Sequence, residues 1–322
     1  MPGMTPKTIL VTGCAGFIGS NFVGQFKGQF PKTKIIGIDD FSTGRRDAVH
    51  PKLVLYEGSI LNEKLLDKIF SKHRPEYVFH FAALPRVSYS VEQPRRTSEV
   101  NIIGTIALLE AAKKHGVKRF IFSSSSSVYG GAKKLPTKES ENYPDPKSPY
   151  ASQKAAGELF CKNFSELFGL DTVCLRYFNV FGPGQYGGSP YSTVVSAWLE
   201  AAYFPGKKEA FIEGDGSQSR DFCYVDNVVQ ANILAMKSKK KFSGEAFNIA
   251  HGERITVNDI KKLIEKYIGK KLKLEKRPAR KGDVLHTHAD ISKAKKWLGY
   301  NPKIKFEEGL KRTVAWFRQR TT

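Results

Sequence analysis

The chain has 322 residues, is 40% hydrophobic and 12% aromatic, and carries a formal charge of +21. That apolar content supports one large or two moderate packed domains and excludes a disordered polyelectrolyte. No run of roughly 18 apolar residues suits a membrane span and the stretch Met1 to Lys7 lacks a secretory signal, so a cytoplasmic protein with no membrane partner is expected.

Cys14, Cys161, Cys174 and Cys223 are scattered with no CxxC pair, which suits a reducing compartment and argues against a disulfide framework. The basic excess is uneven: from Asp221 onward, 24 Lys and Arg face 11 Asp and Glu. Such charge raises a nucleic-acid partner. The lysines, however, are spread over helix faces, as at Lys261-Lys262 and Lys295-Lys296, without the interleaved aromatics of a stacking platform. A solvated surface that attracts an anionic small molecule accounts for them better, and no nucleic-acid partner is expected.

In chain order, the first element is the most informative. An apolar run from Ile9 is followed by Gly13, Gly16 and Gly19, three apart, and then by an apolar helical pattern over 17–28. This reads as strand, tight turn and helix. Gly13 permits the turn, Gly16 lets backbone approach a pyrophosphate, Gly19 lets the helix pack closely, and the helix N-terminus offers amides and positive dipole. The glycines alone fit many strand-to-helix turns. A dinucleotide site also needs an acidic residue about 20 positions on, at the end of a second strand, and Asp39 stands there.

Strands near 8–12, 34–39, 53–56, 77–82 and 118–123 alternate with helices near 17–28, 62–72 and 94–115. The rhythm predicts an α/β fold with a doubly wound parallel sheet that binds ligands at the strands' carboxyl ends. Gly58-Ser59-Ile60 follows the third strand. Ala82 and Ala83 follow the fourth, where small residues let a cofactor lie against backbone or simply pack. His80 reads as a core histidine. His286 and His288 alternate on an extended segment without a metal-ligand pattern, so no metal is expected.

The fifth strand runs into five serines, Ser123 to Ser127, which place hydroxyl donors at the ligand end. Further on, Pro149 opens a helix in which Tyr150 and Lys154 stand four apart and share a face. Leu175 to Gly184 closes another strand and breaks into a Gly/Pro/Tyr-rich loop. A helix from Asp226, a strand at Ala246–Ala250, a helix capped by Thr256 with Asp259 three residues on, and an amphipathic helix from Phe306 complete the chain. The expected domains are 1–178, with about 221–249 returning to it, and a substrate domain of 179–220 and 250–322.

With Thr12 to Gly19, Ser148 to Lys154, Arg176 to Gly182 and Ala289 to Ala294 in that order, the chain resembles the extended short-chain dehydrogenase/reductases over nearly its whole length. Within them it is similar to the nucleotide-sugar 4-epimerases. The resemblance implies a Rossmann-type domain with a smaller α/β substrate domain, tightly bound NAD, a UDP-sugar substrate, and a homodimer through the helices near 94–115 and 150–168. It implies Tyr150 as base, Lys154 as its activator and ribose holder, and Ser125 as partner of the sugar C4 oxygen, with Ser126 competing for part of that role. A tyrosine ordinarily titrates near pH 10, so the Lys154 ammonium and a positive nicotinamide are needed to favour phenolate.

The cofactor contacts implied are Gly13, Gly16, Phe17, Ile18, Gly19, Asp39, Asp40, Ser42, Thr43, Gly44, Ser59, Ile60, Phe81, Ala82, Ala83, Asn101 and Tyr177, with Tyr150 and Lys154. The substrate contacts implied are Arg86, Ser125, Asn179, Thr193, Val194, Phe211, Arg220, Arg280, Asp283 and Thr287. Arg220 and Arg280 would clamp the diphosphate with their guanidinium forks.

Ser126 and Ser127 stand where related 4,6-dehydratases and decarboxylases carry an acid, which favours epimerisation. Thr287 occupies a gatekeeper position that is small in relatives accepting N-acetylated sugars. UDP-N-acetylglucosamine and UDP-N-acetylgalactosamine are therefore expected, alongside UDP-glucose and UDP-galactose. Ser59 stands where many relatives hold adenine with an aspartate, and Pro85 where some epimerases have a lysine. Asp39 repels the 2′-phosphate of NADP, although Arg45 nearby leaves dual use open. The rival readings are a dehydratase or UDP-glucuronate decarboxylase and, in another class, a non-catalytic NAD-binding or RNA-binding relative.

Overall fold

The computed structural model describes residues 5–85, 87–131, 134–141, 144–186, 193–206, 210–278 and 284–321. Seven strands form the central sheet: β1 (Thr8–Thr12), β2 (Lys34–Asp39), β3 (Val54–Glu57), β4 (Tyr77–His80), β5 (Arg119–Ser125), β6 (Thr172–Tyr177) and β7 (Glu245–Ile249). Their order is β7-β6-β5-β4-β1-β2-β3, with every neighbouring pair parallel. A parallel sheet must be covered on both faces, so its strands are apolar throughout rather than alternating. Ile9, Leu10 and Val11 in β1 and Phe120, Ile121 and Phe122 in β5 are accordingly all buried.

Helices α1 (Phe17–Gln29), α2 (Glu63–His73), α3 (Gly104–Lys114), α4 (Pro149–Phe168), α5 (Val194–Tyr203), α6 (Val225–Lys237), α7 (Val257–Ile268) and α8 (Phe306–Gln319) divide among three apolar clusters. Phe22, Val23 and Phe26 of α1 and Val228 and Val229 of α6 meet Ile9 and Val11 on one face of the sheet. Leu66, Ile69 and Phe70 of α2, Leu108 and Leu109 of α3 and Cys161 of α4 meet Leu10 and Ile36 on the other. A third cluster joins Trp198 of α5, Ile260 and Ile264 of α7, and Leu310, Val314 and Phe317 of α8. Each such side chain contributes about 1.5–3 kcal/mol by leaving water.

The sheet runs outward from β1 in both directions, so a crevice opens where the order reverses, between β1 and β4. Two elements differ from the sequence expectation. β5 continues through Ser125 rather than ending near 123, because its serine hydroxyls find tertiary partners: Ser123 Oγ lies 3.2 Å from Tyr177 Oη, and Ser124 Oγ donates to Glu158 Oε1 at 2.5 Å. The helix expected over 94–115 is three pieces, Pro94–Ser98, a π-helical turn Glu99–Ile103, and α3. Among the described residues no helix is long and apolar enough to cross a membrane. All four cysteines are buried and unpaired.

Candidate active site

A cavity of about 630 Å³ opens at the carboxyl ends of β1, β2, β4, β5 and β6, within the range of about 300–1,000 Å³ typical of small-molecule sites. Its floor is the glycine turn. Gly13 has φ +66°, in the left-handed region, and a Cβ there would lie 2.7 Å from the Ala82 nitrogen. Any larger residue would push away the loop that carries Ala82 and Ala83, both of which line the cavity with Phe81. Helix α1 begins there with neither a capping side chain nor an acid in its first turn. Its N-terminal amides and positive dipole at Phe17 and Ile18 are thus left for an anion.

Asp39 ends β2 with its carboxylate turned into the turn. Oδ2 accepts from the Ala15 N–H at 2.8 Å and Oδ1 from the Phe41 N–H at 2.9 Å. Burial raises its pKa while those two bonds pull it back, and each oxygen keeps a lone pair for a ribose hydroxyl. Asp40, Ser42 and Thr43 line the same end, and Gly44 is packed against Asp39 and Ala15. A left-handed glycine turn, an uncapped helix start and a buried acid at the next strand end together fit a dinucleotide.

Ser59 and Asn101, two of the expected cofactor contacts, are not among the residues that line the cavity. Gly58 and Ile60 line the cavity, but Ser59 does not: its Oγ accepts from the Leu61 N–H at 3.2 Å. Asn101 lies behind the wall. Its side chain accepts from the Leu84 N–H at 2.8 Å and donates to the Leu84 carbonyl at 3.1 Å and to Gln153 Oε1 at 2.7 Å, which fixes the loop holding Ala82 and Ala83.

At the other end stand Tyr150 and Lys154. Ser148 caps α4 by accepting from the Ala151 N–H at 3.2 Å, and Pro149 occupies its first turn. Ser125 stands near enough to the Tyr150 hydroxyl to draw its pKa down. Lys154, one turn on, donates to the Ser123 carbonyl at 2.8 Å and lies 5.9 Å from the Tyr150 ring centroid. Burial pushes the Tyr150 phenol up to about 12, against the pull of nearby Ser125. Burial also brings the Lys154 ammonium down to about 8, opposed by Cys161 and Glu158. In both cases burial opposes the charged form.

The serine run divides by partner. Ser123 and Ser124 line the cavity but bond Tyr177 and Glu158, whereas Ser125 Oγ accepts from the Ser127 N–H at 3.2 Å and stands near the Tyr150 hydroxyl. Ser126 opens the short turn Ser126–Tyr129 and is not among the lining residues. Glu158 itself is held by a two-pronged buried contact with Arg176, at 2.6 and 2.8 Å. Tyr177 lines the cavity from β6. His80 is a neutral strut between the Thr12 and Thr105 hydroxyls, at 2.8 and 2.9 Å, driven down to about 3 by burial and the Lys154 charge.

The expected substrate residues gather in a second group outside this lining. Asn179, in a left-handed backbone conformation with φ +28°, donates from Nδ2 to the Asp221 carbonyl at 2.9 Å and to Thr287 Oγ1 at 3.3 Å. Thr287 Oγ1 also accepts from the Asp221 N–H at 3.2 Å. The Asp221 carboxylate is buried and accepts from the backbone of Ala289, Gly252 and His251; burial pushes it up to about 7 against those bonds. Arg220 donates to the Ser219 and Leu285 carbonyls at 3.1 and 3.0 Å.

Asn179, Arg220 and Thr287 are therefore one assembly. Thr193 and Val194 start α5, with the Thr193 hydroxyl on Gln185 Oε1 at 2.9 Å. Phe211 lies under the Arg277 guanidinium at 4.1 Å. Arg86, Arg280 and Asp283 lie outside the described residues. His286 and His288 bond Ser219 and the Gly252 carbonyl, and among the described residues no group of three His, Cys, Asp or Glu could hold a metal.

Sequence reasoning missed Gln185, Tyr186, Glu200 and Arg320, all of which line the cavity. Arg320 arrives from the end of α8, and no local pattern announces that approach.

The model of the NAD dependent epimerase/dehydratase family matches residues 9–250. The UDP-glucose 4-epimerase of Thermotoga maritima, solved with UDP-glucose, is 42% identical, with a TM-score of 0.92 over 98% of this chain and 100% of that one. The UDP-N-acetylglucosamine 4-epimerase of Methanobrevibacter ruminantium, in complex with UDP-N-acetylmuramic acid, is 39% identical, with a TM-score of 0.89 over 98% and 100% of the two chains. A UDP-glucuronate 4-epimerase of Thermodesulfobacterium geofontis is 36% identical over 96% of each chain. With the family model matching most of its length and similarity running nearly end to end, the chain belongs to the NAD dependent epimerase/dehydratase family.

Proposed function

We propose that this protein is an NAD-dependent UDP-sugar 4-epimerase that interconverts UDP-N-acetylglucosamine and UDP-N-acetylgalactosamine, and UDP-glucose and UDP-galactose beside them. The observation that carries the reading is Tyr150 at the wall of a dinucleotide cavity, with Lys154 one turn away and Ser125 near enough to draw its phenol pKa down. NAD, when bound, supplies a reversible hydride acceptor for sugar C4 and a positive charge beside the phenol.

The chain's own residues do the rest. Ser125 holds the C4 oxygen, and Tyr150 takes the C4 hydroxyl proton and later returns it. Lys154, with N–H donors beyond its Ser123 bond, favours the phenolate that burial opposes. The 4-keto sugar turns over while its diphosphate stays held by Arg220, with Arg280 the second expected clamp. Thr287, held by Asn179 and the Asp221 N–H, is a small side chain at the gatekeeper position, which supports acceptance of acetylated hexoses.

The nicotinamide domain in this reading is 1–178 with about 221–249, and the sugar-nucleotide domain is 179–220 with 250–322. We further read the protein as a homodimer through α4 and the helical run over 94–115, supported by exposed Ile103, Leu159 and Leu167 on those elements. The test is incubation of the purified protein with each UDP-sugar and anomeric-region NMR. Isomers of equal mass are expected; turnover of UDP-glucose with none of the acetylated pair would remove the acetylated-sugar assignment.

A further inference from the structure

Three residues from distant parts of the chain meet at the rim of the dinucleotide cavity. Arg45 follows β2, Tyr186 follows β6, and Arg320 ends α8, and all three line the cavity. The Arg45 and Arg320 guanidiniums both lie over the Tyr186 ring, 4.3 and 4.4 Å from its centroid. Trp316 meets the same ring edge-on at 5.4 Å. Each guanidinium is steadied by one acid: Arg45 by Asp47 at 2.6 Å, and Arg320 by Glu200 at 3.3 Å.

The group is anchored on the glycine turn. The Arg45 N–H donates to the Ala15 carbonyl at 3.0 Å. Beside Tyr186, the Pro183 carbonyl accepts from Asn21 Nδ2 at 3.0 Å, and the same amide nitrogen donates to the Phe17 carbonyl at 2.9 Å. The cluster is thus tied to the first turn of α1, where the family places a diphosphate.

We propose that Arg45, Tyr186 and Arg320 form a clasp over the diphosphate and ribose end of the cavity, which keeps the dinucleotide in place between turnovers. The proposal rests on the NAD reading above. Two like charges brought onto one ring repel each other unless an anion lies close. Asp47 and Glu200 offset part of that repulsion, and the diphosphate of a dinucleotide supplies further negative charge at the cavity face. Three elements that share no local sequence must separate before the cofactor leaves, so the last turn of the chain is part of the cofactor site.

The test measures NAD content of the purified protein and the rate at which bound NAD is lost after rapid dilution. Arg320→Ala and Arg45→Ala are each expected to speed release about tenfold or more, since each removes a planar cation from the ring. Arg320→Lys keeps the charge but not the stacking fork and is expected to fall between Arg320→Ala and the wild type. Release at the wild-type rate in both alanine variants, with unchanged far-UV dichroism, overturns the clasp. Should Arg320→Ala fail to fold, Arg45→Ala decides alone, because that side chain is half exposed and packs into no apolar cluster. A wild type that neither retains nor takes up NAD overturns the NAD reading; retained NAD with equal release rates overturns only the clasp.

Discussion

The buried pair of Glu158 and Arg176 offers the sharpest stability prediction. The two residues are 8% and 5% exposed, joined at 2.6 and 2.8 Å, with Ser124 Oγ on Glu158 and Arg176 donating to the Tyr129 hydroxyl at 2.7 Å. Arg176→Met leaves the Glu158 carboxylate between α4 and β6 without its cation, a loss of about 3–5 kcal/mol. At roughly 2–4 °C per kcal/mol, the melting temperature should drop by about 10 °C. Adding Glu158→Leu removes the stranded charge, so the double variant should recover to within about 1–2 kcal/mol of the wild type.

The assay is urea unfolding in saturating NAD, run as a double-mutant cycle. Activity should follow the same order, because Glu158 stands one turn beyond Lys154 and bonds the serine beside Ser125. A single variant within about 1 kcal/mol of the wild type, or a double variant as unstable as the sum of the two singles, would refute the reasoning.

Other consequences are quicker to check. Tyr150→Phe keeps the buried ring and removes the hydroxyl, so kcat should fall by about 10²–10⁴-fold with little change in unfolding midpoint. Thr287→Tyr should cut turnover of UDP-N-acetylglucosamine at least about tenfold more than turnover of UDP-glucose, since a hydrophobic crowding term of 1–3 kcal/mol is typical of such pockets. Asp221 titrates near 7 in the fold, above its ordinary value, because burial opposes its charge. The native state therefore holds the proton longer than the unfolded chain does, so this group makes stability fall as pH rises from about 4 to 7. Asp221→Asn should flatten that slope in unfolding measurements across the same window; an unchanged slope contradicts the assignment.

What was legible in the sequence is what depends on neighbours along the chain. The glycine turn could be read because Gly13 needs left-handed backbone and Asp39 must end the next strand, both local demands. Tyr150 and Lys154 could be paired from helical spacing alone. Within the serine run the family resemblance singles out Ser125, with Ser126 as competitor, but five identical residues carry no sign of where their hydroxyls go. Their division follows from Tyr177, Glu158 and Tyr150, which only the folded sheet brings near.

The same limit explains two further differences. Serine has little strand preference of its own, so β5 looked shorter than it is, and tertiary hydrogen bonds carried it to Ser125. Asn101, on a π-helical turn, braces the Leu84 backbone, a partner that no local pattern announces. Tyr186 and Arg320 had no sequence signal, since their meeting depends on how α8 packs against α5 and α7.

The most direct test of the account uses UDP-N-acetylglucosamine deuterated at C4, incubated with the purified protein in ordinary water. Transient oxidation at C4 with return to the same carbon predicts UDP-N-acetylgalactosamine of unchanged mass, with the deuterium still on C4. Loss of the label to solvent, a product lighter by water, or no conversion of any UDP-hexose would contradict it.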